Sequence, residues 1–494
     1  MDRVGLNDNF FELGGHSLKA IQLVSGIHRV LNIDIPVRTV FDSPTVRELA
    51  DTLESQGKTE SKKVRPIKKQ PYYPLSSAQK RMYVLQKMDK DSTHYNMPSA
   101  FELKGQLDYK KLESAIRKLI SHHEILRTSF ETRDGEPVQK INTEINFSLT
   151  VEEKGKKADY NISDFIRPFD LEGKSLLRAK LIKSDAATHI FLIDTHHIVS
   201  DGISTSIILN DLSKLYNEVA LEELNIHYKD FSVWEQEQLD TENYKKQEDY
   251  WLDAFSNLPS TLDLPTDFSR PEVQNFEGHH FEFKLDSSTS QGIKELAANT
   301  GTTMYMILLS AYNILLHKYT NQSDILVGTP VAGRSHQDIQ SMVGMFVNTL
   351  VMRNRPEDRK KVTDFIHEVK HTSITAYDHA DYPFEVLIEK LLLERDSSRN
   401  PLFQTMFTVQ NFTEDTLNFE GLKISPQPID FNISKFDLTM SIQENIDSID
   451  CHIEYASALF KEETINRMSK HFTQILEEII KNPERSISEI NMLT

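Results

Sequence analysis

The N-terminal part of the chain shows the hydrophobic spacing of amphipathic helices. Apolar residues recur three or four positions apart after Ser17, a period that predicts a helix, at Leu18, Ile21, Val24, Ile27, Val30 and Leu31. Ser43 and Pro44 are typical of an N-cap and a first helical residue. A second helix is then predicted by the apolar positions Val46, Leu49 and Leu53. We therefore expect a small all-α bundle over residues 1–56.

The rest of the chain alternates between two hydrophobic patterns. Residues 112–120 and 203–219 have helical periodicity, whereas residues 190–194 and 325–331 are short apolar runs suited to interior strands. Residues 302–320 are apolar nearly all round, which predicts a helix buried between layers. This alternation predicts a mixed α/β unit over the remainder of the chain.

Lysine and proline positions predict the boundaries between these units. The segment between the bundle and the large unit cannot bury enough apolar surface to fold, so we expect an extended linker over residues 57–73. Its cations are Lys58, Lys62, Lys63, Arg65, Lys68 and Lys69. The large unit, residues 74–494, is long enough for two halves, at about 74–250 and 251–494. The predicted junction is rich in proline, with Pro259, Pro265 and Pro271.

Composition narrows the classes of partner. The chain has 74 acidic and 56 basic residues and a formal charge of −18, which disfavours nucleic acid and anionic membranes. No apolar run approaches the roughly 18 residues of a membrane span, and the N-terminus lacks the pattern of a secretory signal, so we expect a cytoplasmic protein. The single cysteine, Cys451, excludes an intramolecular disulfide and a multi-cysteine metal site.

A candidate catalytic loop follows the apolar run at residues 190–193. Its sequence, HHIVSDG at residues 196–202, contains two imidazoles, a carboxylate and a glycine between a predicted strand and a predicted helix. The dipeptide alone is uninformative, because His-His also occurs at residues 122–123 and 279–280. Two histidines and an aspartate are typical of metal sites as well, but no further residue completes a ligand set. We predict no metal.

A second candidate motif, DNFFELGGHSL, covers residues 8–18. It places Ser17 after two glycines at a predicted helix N-terminus, where a phosphate group is favoured. An N-capping serine is the alternative that spacing alone leaves open. The whole string resembles the phosphopantetheine attachment site of peptidyl or acyl carrier proteins. That resemblance implies 4′-phosphopantetheine attached covalently to Ser17.

The large unit resembles the condensation domain of nonribosomal peptide synthetases in seven segments, which occur in the order that this family shows. They are SSAQKRMY at 76–83, HEILRTSF at 123–130, HHIVSDG at 196–202, YKDFSVW at 228–234, VGMFVNTL at 343–350, DYPFE at 381–385 and RDSSRNPL at 395–402. The resemblance implies two halves, each similar to chloramphenicol acetyltransferase, in a V-shaped pseudodimer with the active site in a tunnel between them. It also implies attack of an acceptor amine on a donor thioester.

The resemblance assigns roles to particular residues. It implies that His197 accepts a proton from the acceptor amine or holds it, that His196 supports the loop, and that Gly202 polarises the donor carbonyl with its N–H. Asp201 is expected to pair with Arg334 from the other half, and Asn348 to add a hydrogen bond in the tunnel. Two further arginines are expected to brace the halves or to shape the tunnel, namely Arg81 and Arg127.

Partners and alternatives follow from the same family. The implied partners are upstream and downstream synthetase modules, an acceptor carrier protein, a phosphopantetheinyl transferase and aminoacyl or peptidyl thioesters. The form of the carrier motif favours an L-donor joined to an L-acceptor. A complete carrier would have another helix before Val4, so we expect an excised piece of a larger synthetase. An epimerisation domain and a non-catalytic carrier-docking module remain the alternatives on this scaffold.

Overall fold

The computed structural model describes residues 4–33, 35–54, 63–144, 147–153, 162–173, 175–394, 396–410, 417–429, 431–445 and 448–493. The side chains of residues 17, 18, 29 and 410 lie outside this description.

The N-terminal unit contains three helices in the described residues, α1 (Ser17–Leu31), α2 (Val37–Asp42) and α3 (Val46–Glu54). The predicted cap at Ser43 and Pro44 is wrong, because Ser43 ends α2 instead. Thr45 caps α3: its hydroxyl accepts the Glu48 N–H at 3.2 Å, and the Glu48 carboxylate accepts the Thr45 N–H at 3.2 Å.

The N-terminal half of the large unit combines helices with two sheets. Its elements are β1 (Tyr73–Pro74), α4 (Ser77–Met88), β2 (Asn96–Lys104), α5 (Tyr109–His122), β3 (Thr128–Arg133), β4 (Glu136–Ile141), β5 (Thr150–Glu153), β6 (Leu177–Lys183), β7 (Thr188–His196), α6 (Gly202–Tyr216), α7 (Tyr228–Gln238) and α8 (Glu242–Ala254). The predicted boundary at residue 250 falls inside α8. The predicted strand at 190–194 is the centre of β7, which pairs antiparallel with β2 and with β6.

The C-terminal half surrounds one six-stranded sheet of order β10-β9-β11-β13-β14-β8. Its elements are β8 (Gly278–Leu285), α9 (Ser287–Thr300), α10 (Met304–Thr320), β9 (Ile325–Val331), β10 (Asn348–Asn354), α11 (Val362–Asp378), α12 (Phe384–Leu391), β11 (Thr405–Gln410), β12 (Lys423–Gln427), β13 (Leu438–Glu444), β14 (Ile449–Ala456) and α13 (Glu462–Lys481). The helix α10 is buried from Tyr305 to His317, as its uniformly apolar sequence predicts. Cys451 is buried in β14.

One strand crosses between the halves. The strand β12 belongs to the C-terminal half by sequence, but it pairs antiparallel with β2 at the edge of the N-terminal sheet, with Pro426 opposite Phe101. That sheet has the order β12-β2-β7-β6-β5, and a smaller one has the order β1-β4-β3. The two halves therefore share a sheet as well as a packed interface.

The described part of the predicted linker, from residue 63 onward, lies against the large unit. The Val64 side chain is buried, and its N–H donates to Asp338 at 3.1 Å. The Ile67 N–H donates to Asp230 on α7 at 3.0 Å. These backbone contacts attach the segment to both halves.

The helical unit packs on the C-terminal half through α1 and α2. The Arg38 N–H donates to Asp378 at 3.2 Å, and its guanidinium donates to Thr375 at 3.1 Å, both on α11. Gln340 donates to the Ser25 hydroxyl on α1 at 2.5 Å. Throughout the ranges that the structure describes, no helix combines the length and apolar character needed to cross a bilayer.

Candidate active site

The candidate loop connects the central strand of the N-terminal sheet to a helix. The strand β7 ends at His196, residues 197–199 form one 3-10 turn, and Asp201 is the N-cap of α6. A continuous hydrophobic run makes β7 an interior strand. The loop is thereby held at both ends by buried regular structure.

The His196 side chain is fully buried and uses both of its nitrogens. Its Nε2 donates to Gln86 on α4 at 3.2 Å, and its Nδ1 accepts the Ile198 N–H at 3.1 Å. Burial lowers its pKa to about 3, with a smaller effect from the neighbouring His197. These contacts favour the supporting role expected for a neutral His196.

His197 is only partly buried, and its ring is fixed on one side. Its N–H donates to the Tyr95 carbonyl at 2.7 Å, and its Nδ1 lies 2.8 Å from the Ser200 carbonyl and donates to it. Nε2 has no hydrogen-bond partner among the described residues. Burial, assisted by the nearby Lys435 and opposed by Asp201, lowers the pKa of His197 to about 4. At neutral pH the ring therefore presents an unprotonated Nε2.

Asp201 and Arg334 come together across the two halves, with Nη2 of the arginine 3.0 Å from Oδ1 of the carboxylate. Their side chains are 1 % and 4 % exposed. The carboxylate also accepts the N–H groups of Ser204 at 2.7 Å and Phe346 at 3.0 Å. A carboxylate with this many donors is an acceptor held in place rather than a proton donor. Arg334 further donates to the Met342 carbonyl at 2.6 Å.

Gly202 is the exposed first residue of α6. A side-chain carbon at this position would meet no atom within 4 Å, so the space in front of it is open. The N–H groups in the first turn of a helix lack intrahelical acceptors and carry partial positive charge. Gly202 therefore places an N–H at a helix N-terminus, five residues after His197, and leaves open space where a side chain would stand.

The Asn348 side chain hydrogen-bonds to the backbone of the segment that leads into α12. Its amide donates to the carbonyls of Ala380 at 2.9 Å and Tyr382 at 2.8 Å, while its oxygen accepts the Phe384 N–H at 3.0 Å. An amide has only two N–H donors. These contacts hold the segment that leads into α12, and the hydrogen bond expected from Asn348 in the tunnel stays a prediction.

The two remaining arginines, Arg81 and Arg127, contact different parts of the chain. Arg81 on α4 lies 3.3 Å from Glu385 on α12, an ion pair that joins the two halves. Arg127 donates to the Asn142 carbonyl at 2.8 Å and lies 3.5 Å from Glu124. Both of these partners belong to the N-terminal half, so these two contacts support that half, and the expected role of Arg127 in bracing the halves or shaping the tunnel stays a prediction.

Lys435 is a residue near the site that sequence reasoning missed. Its ammonium lies 4.9 Å from the centre of the Tyr95 ring, whose backbone holds His197. Burial lowers the pKa of Lys435, and the carboxylate of Glu454 opposes this effect. No local pattern marks residue 435, because the chain brings it from the C-terminal half to the N-terminal loop only on folding.

A narrow cleft opens between the halves. Residues from both halves line it, among them Trp234, Glu235, Phe346, Asn348 and Glu385. Burial raises the pKa of Glu235 to about 7, while the Ser77 N–H, 2.7 Å from its carboxylate, opposes that shift. The interface of the halves therefore combines an open space with one carboxyl group, that of Glu235, whose pKa is raised to about 7.

The predicted attachment motif has the local geometry that a phosphate-bearing arm requires. Gly14 adopts φ +88°, and a side-chain carbon at Gly15 would lie 2.4 Å from the Phe10 carbonyl oxygen, so neither position suits a larger residue. The His16 ring caps α1, and the Lys19 ammonium lies beside the loop, 3.2 Å from the Gly14 carbonyl. A helix N-terminus and a cation both favour phosphate. The Ser17 side chain itself lies outside the described residues.

Comparison with known proteins agrees with this arrangement. The model of the condensation domain family matches residues 69–494, and that of the phosphopantetheine attachment site matches residues 1–53. Tyrocidine synthase 3 of Brevibacillus parabrevis is 46 % identical over all of this chain, which spans 8 % of that relative's length.

Solved structures support the fold. The X-domain in its complex with OxyB, from teicoplanin biosynthesis, has a TM-score of 0.83 at 24 % identity, over 89 % of this chain and 100 % of that one. AB3403, a four-domain nonribosomal peptide synthetase, has a TM-score of 0.78 at 23 % identity, over 86 % of this chain and 34 % of that one.

These likenesses confirm the predicted fold class, a small all-α unit followed by a mixed α/β domain of two chloramphenicol-acetyltransferase-like halves. They also confirm a domain that binds 4′-phosphopantetheine on a serine. One family model matches almost the entire length of the large unit. A carrier domain followed by a condensation domain is the domain order of nonribosomal peptide synthetases. The chain therefore belongs to the condensation-domain family.

Proposed function

We propose that this chain joins a donor aminoacyl or peptidyl thioester to the amine of an acceptor aminoacyl thioester, with both substrates carried on phosphopantetheine arms. The family assignment supports peptide-bond formation in nonribosomal synthesis as the general reaction. The observation that carries the specific proposal is the His197 ring, which has Nδ1 fixed on Ser200 and Nε2 unprotonated and unpartnered among the described residues.

The lowered pKa of His197 limits what the ring can do. A free α-amino group has a pKa of about 7.7 to 8.0, whereas the pKa of His197 is about 4. Moving a proton from an ammonium to this imidazole would cost about 5 kcal/mol, at 1.36 kcal/mol per pKa unit. His197 therefore accepts a hydrogen bond from the neutral amine and orients it, and it takes the proton only after the new C–N bond has made that nitrogen acidic.

The remaining loop residues complete the proposed site. The phosphopantetheine arm supplies the thiol that carries each acyl group as a thioester. Gly202 presents its N–H to the donor carbonyl oxygen, where negative charge develops during attack. Asp201 and Arg334 fix the start of α6 and thus the direction of this N–H. The proton held at Nε2 of His197 passes to the departing thiolate, so the imidazole returns to its neutral form.

The proposal for the carrier unit is that Ser17 receives the arm from a phosphopantetheinyl transferase. The attached carrier stands before the condensation domain in sequence, which makes it the donor carrier. The acceptor carrier then comes from a downstream module, and the upstream module delivers the growing chain. The form of the carrier motif supports an L-donor and an L-acceptor.

The test uses the full chain with a separately produced acceptor carrier, each loaded with a defined aminoacyl group. Intact-protein mass spectrometry should show the donor acyl group transferred to the acceptor carrier as an amide. Ser17→Ala should abolish the mass gain on incubation with coenzyme A and a transferase. If Ser17 does not accept the arm, a separate loaded donor carrier replaces it.

Two outcomes of this assay contradict the proposal. Inversion of the donor α-carbon without amide formation would identify an epimerisation domain. Neither reaction, combined with retained carrier binding, would favour a docking module. The likeness to an X-domain that forms a complex with OxyB gives that second outcome its structural basis.

A further inference from the structure

Folding brings a second histidine pair, His122 and His123, next to the carboxylate of Asp211. The sequence around this pair contains no metal-binding motif. His122 and His123 end α5, and Asp211 lies in the third turn of α6. One ligand atom from each of the three residues falls within 4.8 Å of the others. Asp211 is nine residues beyond Gly202, roughly 14 Å along the helix, so this cluster is separate from the catalytic loop.

The donor set is that of a transition-metal site. The two imidazole rings are perpendicular with centres 4.7 Å apart, and Nε2 of His123 lies 3.0 Å from Oδ2 of Asp211. Two imidazole nitrogens and one carboxylate oxygen are characteristic ligands of Zn²⁺ in sites that keep a fourth position open. Hard cations such as Mg²⁺ prefer oxygen ligands alone.

Burial and access also fit a bound cation. The side chains of His123 and Asp211 are 2 % and 13 % exposed, which holds two ligands rigidly. His122 is partly exposed and lines an open surface hollow with Ser121 and Leu215. A metal can therefore enter from the side of His122, and water can occupy the remaining position.

In contrast to the prediction of no metal from the sequence, we propose that His122, His123 and Asp211 bind one Zn²⁺ ion or a similar divalent transition metal. His123 presents Nε2 to the metal by moving its proton to Nδ1, so a neutral ring needs no proton loss. Asp211 binds through Oδ2, the oxygen that faces His123. Its other oxygen lies 3.5 Å from the Lys214 ammonium, a cation that competes with the metal for the same carboxylate.

The proposed metal site connects two helices, and this position determines what a bound metal would stabilise. The metal ties the end of α5 to the middle of α6, and α6 begins at the candidate catalytic loop. A cation that binds only the folded chain stabilises it by mass action. The bound metal thus braces the helix whose first residue is Gly202, without contacting the substrates.

Titration of the metal-free full chain with Zn²⁺ tests this proposal by calorimetry and by melting temperature. We expect about one equivalent to bind and the melting temperature to rise. Loss of a second-sphere partner already weakens metal sites 10- to 100-fold, so His122→Ala, which removes a ligand, should weaken binding by about 100-fold or more. Co²⁺ should give the visible absorption of a tetrahedral site, and His122→Ala should abolish it.

Two further variants control the result. His280→Ala alters another histidine of a His-His pair, whose ring stacks on His452 at 4.9 Å, and it should leave Zn²⁺ affinity unchanged. Lys214→Met removes the competing cation and should tighten binding. The proposal is wrong if the wild-type chain binds no Zn²⁺, if His122→Ala binds it as tightly, or if His280→Ala loses it equally.

Discussion

Two ion pairs join separate parts of this chain, and they differ in nearly every physical respect. Asp201 and Arg334 are almost fully buried at 3.0 Å, whereas Arg38 and Asp378 lie 4.0 Å apart with the arginine 43 % exposed. A buried pair that loses one partner leaves an uncompensated charge, but an exposed pair is solvated and contributes little. The difference indicates that the buried pair stabilises the candidate catalytic loop strongly, whereas the Arg38–Asp378 pair adds little to the junction of the carrier with the C-terminal half.

The largest expected effect is that of Asp201→Ala. It leaves the Arg334 charge buried and two N–H groups without their acceptor, so it should lower the free energy of unfolding by about 3 to 5 kcal/mol. Urea unfolding followed by tryptophan fluorescence measures this loss, since both tryptophans, Trp234 and Trp251, lie in the large unit. Arg38→Ala, which removes the exposed partner of the other pair, is the matched control, with a loss of at most about 1 kcal/mol. Equal losses would remove the contrast between the junctions.

A smaller effect is expected on the pH dependence of stability, through Glu235 at the interface of the two halves. The pKa of Glu235 is about 7 in the folded chain, against its usual 4.5. Between these values the folded state holds the proton more tightly than the unfolded state. The contribution of Glu235 to stability is therefore fully present below about pH 4.5 and falls by about 3 kcal/mol as the pH rises through 7. Glu235→Gln should remove this fall in urea titrations from pH 4.5 to 8. Parallel profiles for the two proteins would show that Glu235 ionises normally.

The smallest effect is expected at the carrier junction. Arg38→Ala should cost 0 to about 1 kcal/mol of unfolding free energy, a value that salt reduces further. Hydrogen exchange should nevertheless rise in α11, where Arg38 contacts Thr375 and Asp378. Arg47→Ala provides the control, because the Arg47 side chain donates to Asn7 within the carrier unit. Equal exchange in both variants would mean that Arg38 does not hold the carrier in place.

Local sequence patterns predicted the strands and helices that are buried along most of their length. The apolar run at 325–331 is β9, and the uniformly apolar segment at 302–320 became the buried helix α10. The setting of the 196–202 loop, between an interior strand and a capped helix, was also predictable. In each of these cases the residue types that form the element are adjacent in sequence, so periodicity alone contains the information.

Long-range contacts account for what the sequence did not predict. The pairing of β12 with β2 brings residues about 320 positions apart into register, and neither strand's pattern specifies the other. Arg127 and Asn348 occur in motifs that resemble the family, yet their contacts depend on carbonyl groups elsewhere, at Asn142 and Ala380. Lys435 reaches the site only because the two halves pack together.

The central claim is that amide formation depends on the imidazole of His197. The most direct measurement is the single-turnover rate of amide formation between loaded carriers, for the wild-type chain, His197→Ala and the distant control His280→Ala. We expect His197→Ala to keep its circular dichroism and tryptophan fluorescence while the rate falls by about 100-fold, with no change in the control. A rate for His197→Ala equal to that of the wild-type chain would contradict the account.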